Sequence, residues 1–237
     1  MYTVFSDDEL AQVVRAFGLT LRSAKGIPHG SINTNFRLET DQGTFFLRHS
    51  TVRTGEDLSF EAALLAHLVQ GGFPAPTPVA TSSGEPFLCI RNGLASVFRY
   101  LVGEEVSRSA LTTEHCERVG SELAKLHRVG NSFSGDRRNP YGPATVADWL
   151  SELRRHSDES IRALGDELQG MLSESQSFSG GLLPRGAIHA DLFMDNVKWV
   201  GDRISAVFDF EMACRDAFAL DLAIALNAWC FSDGYDE

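Results

Sequence analysis

Residues 188–199 read IHADLFMDNVKW, and a second polar interruption, VFDFEM, follows at 207–212. Asp191 and Asn196 form D-x-x-x-x-N, His189 stands two residues before the aspartate, and Asp209 closes an apolar run. Phosphoryl transfer needs a carboxylate that orients the attacking hydroxyl and takes its proton. It also needs a few oxygen ligands that hold Mg²⁺ against nucleotide phosphates. Asp191, Asn196 and Asp209 supply those groups at kinase-like spacing. Each has a plainer alternative taken singly: Asp195-Asn196 suits a turn, and Asp209 suits a strand end. His189 as a zinc ligand finds no second histidine nearby and no paired thiols.

These residues need strands and turns to present them. Short strands are expected around 197–200 and 204–208, joined by Gly201-Asp202, with an apolar helix from about Ala217. Upstream, Ser6 and Glu9 form a capping-box pattern that opens a helix to about Phe17. An early strand at about 21–27 precedes NFRLET and TFFLRHS, which flank the turn residues Asp41-Gln42-Gly43 as a hairpin. Helical periodicity runs from Glu56 to Gln70 and stops at Gly71-Gly72. FPAPTPVAT breaks it, and PFLCI and LASVFRYL read as strands. From Thr112 the chain turns helical, with further helices at about 145–156 and 159–175. The expectation is an α+β, two-part molecule: 1–102 a strand-rich unit, 103–237 a helix-rich unit, joined near Val102-Gly103.

Composition narrows the partners. The chain has 237 residues and a formal net charge of −11, which repels a polyanion such as nucleic acid. No apolar stretch is long enough for a membrane span, and MYTVFSDDEL has no signal-peptide pattern. Cys89, Cys116, Cys214 and Cys230 are scattered, as reduced thiols of a cytoplasmic protein would be. Oligomeric state is not legible.

The pattern H-x-D-x-x-x-x-N, then a strand, then apolar-D-F-E, resembles the small-molecule kinases of the aminoglycoside phosphotransferase and choline kinase superfamily. HADLFMDNV, DFEMACRDAFALDLAIALNAWCF and GIPHGSINTNFRLET resemble its bacterial homoserine kinases more closely. The resemblance implies a bilobal protein-kinase-like fold, with an antiparallel-sheet nucleotide lobe and a mainly helical C-terminal lobe. It implies ATP and Mg²⁺ as cofactors and a small-molecule hydroxyl acceptor, L-homoserine first. Asp191 would be the catalytic base, Asn196 and Asp209 the Mg²⁺ ligands, and Asp221 the buried brace of the catalytic loop.

In the first unit, the 30–35 loop with Gly30, Ser31, Asn33 and Asn35 would approach the phosphates through backbone N–H groups and small side chains. Arg48 stands where the family usually carries a phosphate-binding lysine, and Glu61 could hold it by an ion pair. SVFRYLVGE resembles the hinge, where backbone groups of Phe98, Tyr100 and Leu101 would meet adenine. Two departures stand out. Met194 replaces the usual proline, and the chain ends at FSDGYDE where the family continues with helices, so either a truncated form or an acceptor wall supplied differently is expected. Two rival readings remain: another acceptor (an aminoglycoside, choline-like amine or sugar), or an ATP-binding pseudokinase or fragment.

Overall fold

The computed structural model describes residues 3–28, 32–178 and 183–231. Its first helix, α1 (Asp7–Ala16), begins where the sequence places a cap. The Ser6 hydroxyl accepts the Glu9 N–H, and the Glu9 carboxylate accepts the Ser6 N–H at 2.8 Å. Leu10, Val13 and Val14 form its buried face.

That face lies on an antiparallel sheet. β1 (Leu21–Ile27), β2 (Thr34–Thr40), β3 (Gly43–Ser50), β4 (Pro78–Val79), β5 (Leu88–Ile90) and β6 (Gly93–Arg99) are arranged β1-β2-β3-β6-β4, with β5 also on β6. The β2–β3 hairpin turns at Asp41-Gln42 as expected. Pro78-Val79 adds a short strand where the proline-rich run suggested only a break. Proline is tolerated there because β4 lies at the edge of the sheet.

Strand alternation divides the sheet chemically. Phe45 and Leu47 on β3, with Ala95 and Val97 on β6, pack toward α1. Their neighbours in sequence face the other way, so Phe46, Arg48 and Phe98 share the opposite surface. A one-residue slip of β3 would exchange Arg48 with Leu47 and bury a guanidinium among Val13, Val14 and Phe17. The apolar pattern therefore sets where Arg48 points.

Helix α2 (Gly55–Gln70) follows, capped at Thr54 by a reciprocal bond with Asp57. Residues 100–104 then cross to a helical body: α3 (Thr113–Gly130), α4 (Pro143–Leu153), α5 (Glu159–Phe178) and α6 (Phe218–Trp229). Gly103 sits on the crossing with φ +141°, and a Cβ there would lie 2.5 Å from Ser205 Oγ. Only glycine fits both the dihedral and the gap. The crossing is fastened by Ser205 Oγ donating to Val102 O and by paired backbone bonds between Glu104 and Trp199.

Between α5 and α6 lie two small ribbons. β8 (Val197–Val200) pairs with β9 (Arg203–Val207), and β7 (Arg185–Ile188) pairs with β10 (Cys214–Ala217), both antiparallel. The β7–β10 pair is absent from the sequence reading, because ACRDA carries neither clean alternation nor a β-branched run. One core cluster joins both parts of the chain: Leu64, Leu65, Leu68 and Phe98 pack with Leu123, Leu126, Leu192, Val207, Phe210 and Trp229. No helix among the described residues is long and apolar enough to cross a membrane.

All four cysteines are free; Cys89 and Cys230 are exposed and Cys214 is buried. Burial, with Asp216 adding to it, pushes the Cys214 thiol up to about 12. Brief alkylation of the native protein at neutral pH should therefore modify Cys89 and Cys230 first and spare Cys214 until the protein is unfolded. Peptide mass spectrometry reads the order, and early modification of Cys214 would contradict its placement.

Candidate active site

Strand β7 delivers the chain to His189, whose side chain is fully buried. Its Nδ1 accepts the Asp191 N–H at 3.2 Å, and its Nε2 lies 3.0 Å from Phe208 O. Both contacts are satisfied together by the tautomer that carries its proton on Nε2. With both ring nitrogens occupied, His189 is a scaffold of the loop. Its ring also packs on Phe210, 4.5 Å between centroids.

Asp221 holds the same loop from α6 and is itself fully buried. One carboxylate oxygen accepts the Ala190 N–H at 2.8 Å; the other accepts the His189 N–H at 3.1 Å and lies 2.7 Å from His127 Nε2. Ala190 has φ +63°, a left-handed conformation that costs a non-glycine residue roughly 1–2 kcal/mol. Two anchored N–H groups hold it there. His127, which stacks on Phe218 at 4.3 Å, is a support the sequence reading missed. Its LAKLH setting looks like ordinary helix surface.

The loop's purpose shows in Asp191, which is half-buried. Asn196 Nδ2 donates to Asp191 O at 2.8 Å and to Asp191 Oδ2 at 3.2 Å. Partial burial raises the Asp191 carboxyl above the ordinary aspartate range, and the charge of Asp209 adds to that. Because the Asn196 amide nitrogen is spent on Asp191, the atom left for a cation is its oxygen. Asp209 has φ +61° and ψ +63° and is exposed, while the next residue, Phe210, is buried. One amide oxygen and one carboxylate suit a hard cation whose other ligands are phosphate oxygens and water. Among the described residues no group of three or more His, Cys, Asp or Glu forms a metal cage.

Beside Asp209 stands a buried charge cluster. Arg48 Nη2 lies 2.5 Å from Glu61 Oε2, and Arg48 Nη1 lies 3.0 Å from Glu211 Oε1. Asn33 Nδ2 also donates to Glu211 Oε1, at 2.5 Å. Against the cost of burial, the two glutamates hold the Arg48 guanidinium firmly protonated, and Asp209 adds to this. Asn35 is the register partner of Arg48 on β2, and the Phe98 ring lies 5.2 Å from the Arg48 carbon Cζ. The structure thus gathers Asn33, Asn35, Arg48, Glu61 and Phe98 into one neighbourhood.

Some expected parts stand differently. Gly30 and Ser31 lie outside the described residues. Tyr100 does not offer its N–H to a ligand, because that group donates to Thr44 O at 3.1 Å. Phe98 is a ladder residue, paired with Phe46 and Pro78, so its backbone is engaged in the sheet. Of the three residues expected at the hinge, Leu101 is the one whose N–H has no partner among the described residues. The strand runs to Arg99, and its last pairings take up the Phe98 backbone and the Tyr100 N–H but not the Tyr100 carbonyl.

Glu211, Arg53, Asp57 and Arg137 are further residues that the sequence reading did not single out. Arg137 donates to Glu211 O at 2.7 Å and Ala213 O at 2.9 Å, and pairs with Asp57 at 3.0 Å. A signal for Glu211 was present: an acid flanked by Phe210 and Met212 in FDFEMAC is set to be buried and then has to find a cation. For Arg137, in a polar connection, there was none.

Comparison with known proteins gives the family and the fold. Residues 23–237 match the phosphotransferase enzyme family. A homoserine kinase of Parvibaculum lavamentivorans is 40% identical over 237 residues, covering 99% of this chain and 73% of that protein. One from Nitrobacter hamburgensis is 38% identical over 233 residues, covering 98% and 71%. Among solved structures, the amicoumacin kinase hAmiN, in complex with AMP-PNP, Ca²⁺ and Ami, superposes with a TM-score of 0.75 at 18% identity. It covers 94% of this chain and 69% of its own. A spectinomycin phosphotransferase with ADP and spectinomycin gives 0.69 at 14% identity, covering 97% and 77%. At such identities these structures speak for the fold, which is the α+β, bilobal protein-kinase-like one. The loop geometry, the shared fold and the near-full-length match lead to one statement: this chain belongs to the phosphotransferase enzyme family.

Proposed function

We propose that the chain is an ATP- and Mg²⁺-dependent kinase that phosphorylates the side-chain hydroxyl of L-homoserine. The observation that carries the reaction is the Asp191 carboxylate, half-buried and fixed by the Asn196 amide beside the Asp209 carboxylate. The homoserine kinases among its relatives support the acceptor. In this reading Asp191 orients the hydroxyl and accepts its proton as the oxygen bonds to the γ-phosphorus and ADP leaves. The Asn196 oxygen and Asp209 would hold Mg²⁺, which supplies charge neutralisation on the phosphates when bound. Arg48, set by Glu61 and Glu211, adds fixed positive charge near the nucleotide, and the hinge contact falls to the Leu101 N–H and the Tyr100 carbonyl. Residues 1–102 serve as the nucleotide lobe and 103–237 as the catalytic lobe. Four free thiols suit a reducing cytoplasm.

An acceptor panel tests it. Purified protein with Mg·ATP should phosphorylate L-homoserine in preference to choline, spectinomycin and a hexose, read by ADP release and product mass. Rejection of homoserine with turnover of another acceptor would remove the substrate assignment. Stabilisation by Mg·ATP without turnover on any of them would remove the activity.

A further inference from the structure

The charge around Arg48 does not balance on its own. Two buried carboxylates, Glu61 and Glu211, grip one guanidinium, and the Asp209 carboxylate is close enough to reinforce its protonation. One cation enclosed by two anions is a net negative site, which would repel the phosphates that Arg48 is placed to attract. The second cation in the cluster is Arg53, whose side chain is 9% exposed. Its Nη2 lies 3.7 Å from Glu61 Oε2, its Nη1 3.5 Å from Glu211 Oε2, and its Nε 3.8 Å from Asp57 Oδ2. Asp57 is matched separately by Arg137 at 3.0 Å. The four groups Arg48, Glu61, Arg53 and Glu211 therefore close a square in which each glutamate faces both arginines.

The two arginines sit in that square differently. Arg48 hydrogen-bonds Glu61 at 2.5 Å and pairs with Glu211 at 3.0 Å. None of the three Arg53 nitrogens makes a hydrogen bond among the described residues, although all three are buried. A guanidinium buried without hydrogen bonds gives up the fork geometry that distinguishes arginine from lysine and retains its charge. Its contribution to the square is electrostatic, at distances where a low effective dielectric constant keeps a unit charge effective.

We propose that Arg53 is a positioning residue for nucleotide binding: its charge cancels the second carboxylate around Arg48, so that Arg48 meets the nucleotide phosphates from a neutral cluster instead of a net negative one. This rests on the ATP-dependent reading above. Arg53 touches no reacting atom, so it sets nucleotide affinity and leaves the chemical step alone.

The test compares Arg53→Lys, Arg53→Gln and Arg53→Met with the parent by calorimetric titration of Mg·ADP and by steady-state kinetics with ATP and homoserine. Arg53→Gln and Arg53→Met should weaken Mg·ADP and raise KM for ATP by about ten- to thirtyfold, the order expected for one unit charge several ångströms away at an effective dielectric constant near 20. kcat should stay within about threefold, and Arg53→Lys should restore affinity to near the parental value. If Arg53→Met does not fold, the Lys and Gln variants decide alone. Equal weakening in Lys and Gln, parental affinity in Gln, or a fall in kcat at unchanged KM overturns the proposal. So does failure of all three variants to fold. A parent protein that binds no Mg·ADP overturns the functional reading instead, and this inference with it.

Discussion

Asp191→Asn is expected to lower turnover by about 10²–10⁴-fold while the protein still folds and still binds Mg·ADP. The replacement is isosteric, and the Asn196 amide can still donate to the backbone oxygen of residue 191, its shorter contact at 2.8 Å. What disappears is the atom proposed to take the acceptor's proton. Turnover near the parental level would remove Asp191 from its role. The same residue sets the acid limb of the pH profile. Its carboxyl is raised by partial burial, and it must be ionised to accept a proton. Activity should therefore fall as pH drops through a value above the ordinary 3.8 of an aspartate. A kcat/KM profile flat to below that value would contradict it.

Asp221→Ala should be as damaging for a different reason. The carboxylate is buried and satisfies the His189 N–H, the Ala190 N–H and His127 Nε2 at once. Removing it strands polar groups in a largely enclosed setting, at about 1–3 kcal/mol for each one left unsatisfied. A total of about 3–5 kcal/mol is a large share of a typical domain's 5–15 kcal/mol. The melting temperature should fall by roughly 10 °C, and turnover should be lost even in the folded fraction. The loss of turnover follows from Ala190: without its anchor the left-handed residue relaxes, and Asp191 moves with it. Asp221→Asn, which retains one acceptor oxygen, should lie between parent and alanine variant on both scales. Thermal denaturation with parallel assays checks the order; an alanine variant with parental melting and turnover would refute the bracing role.

Where reasoning from sequence succeeded, the physics is local. Capping at Ser6 and the Asp41-Gln42-Gly43 turn involve residues within a few positions of each other. The spacing of Asp191 and Asn196 was legible for the same reason, while the contact between them came with the structure. Arg48 with Glu61 spans a strand and a helix start, and needed the family resemblance to be seen. The hinge was harder. LASVFRYL announces a strand, but which of its last N–H groups remains unpaired depends on how far Thr44 and Thr77 reach along it.

The sequence by itself determined the candidate reacting groups and the faces of the elements that carry them, because spacing and alternation act along a single segment of chain. Only the tertiary structure decided how their charges balance. Glu211 meets Asn33 across 178 positions, Arg53 reaches Glu211 from the other end of the chain, and Arg137 ties both sides together. A buried carboxylate must find a cation somewhere, but its partner is set by how the sheet, α2 and the DFE turn come to rest against one another. No pattern within a single segment records that.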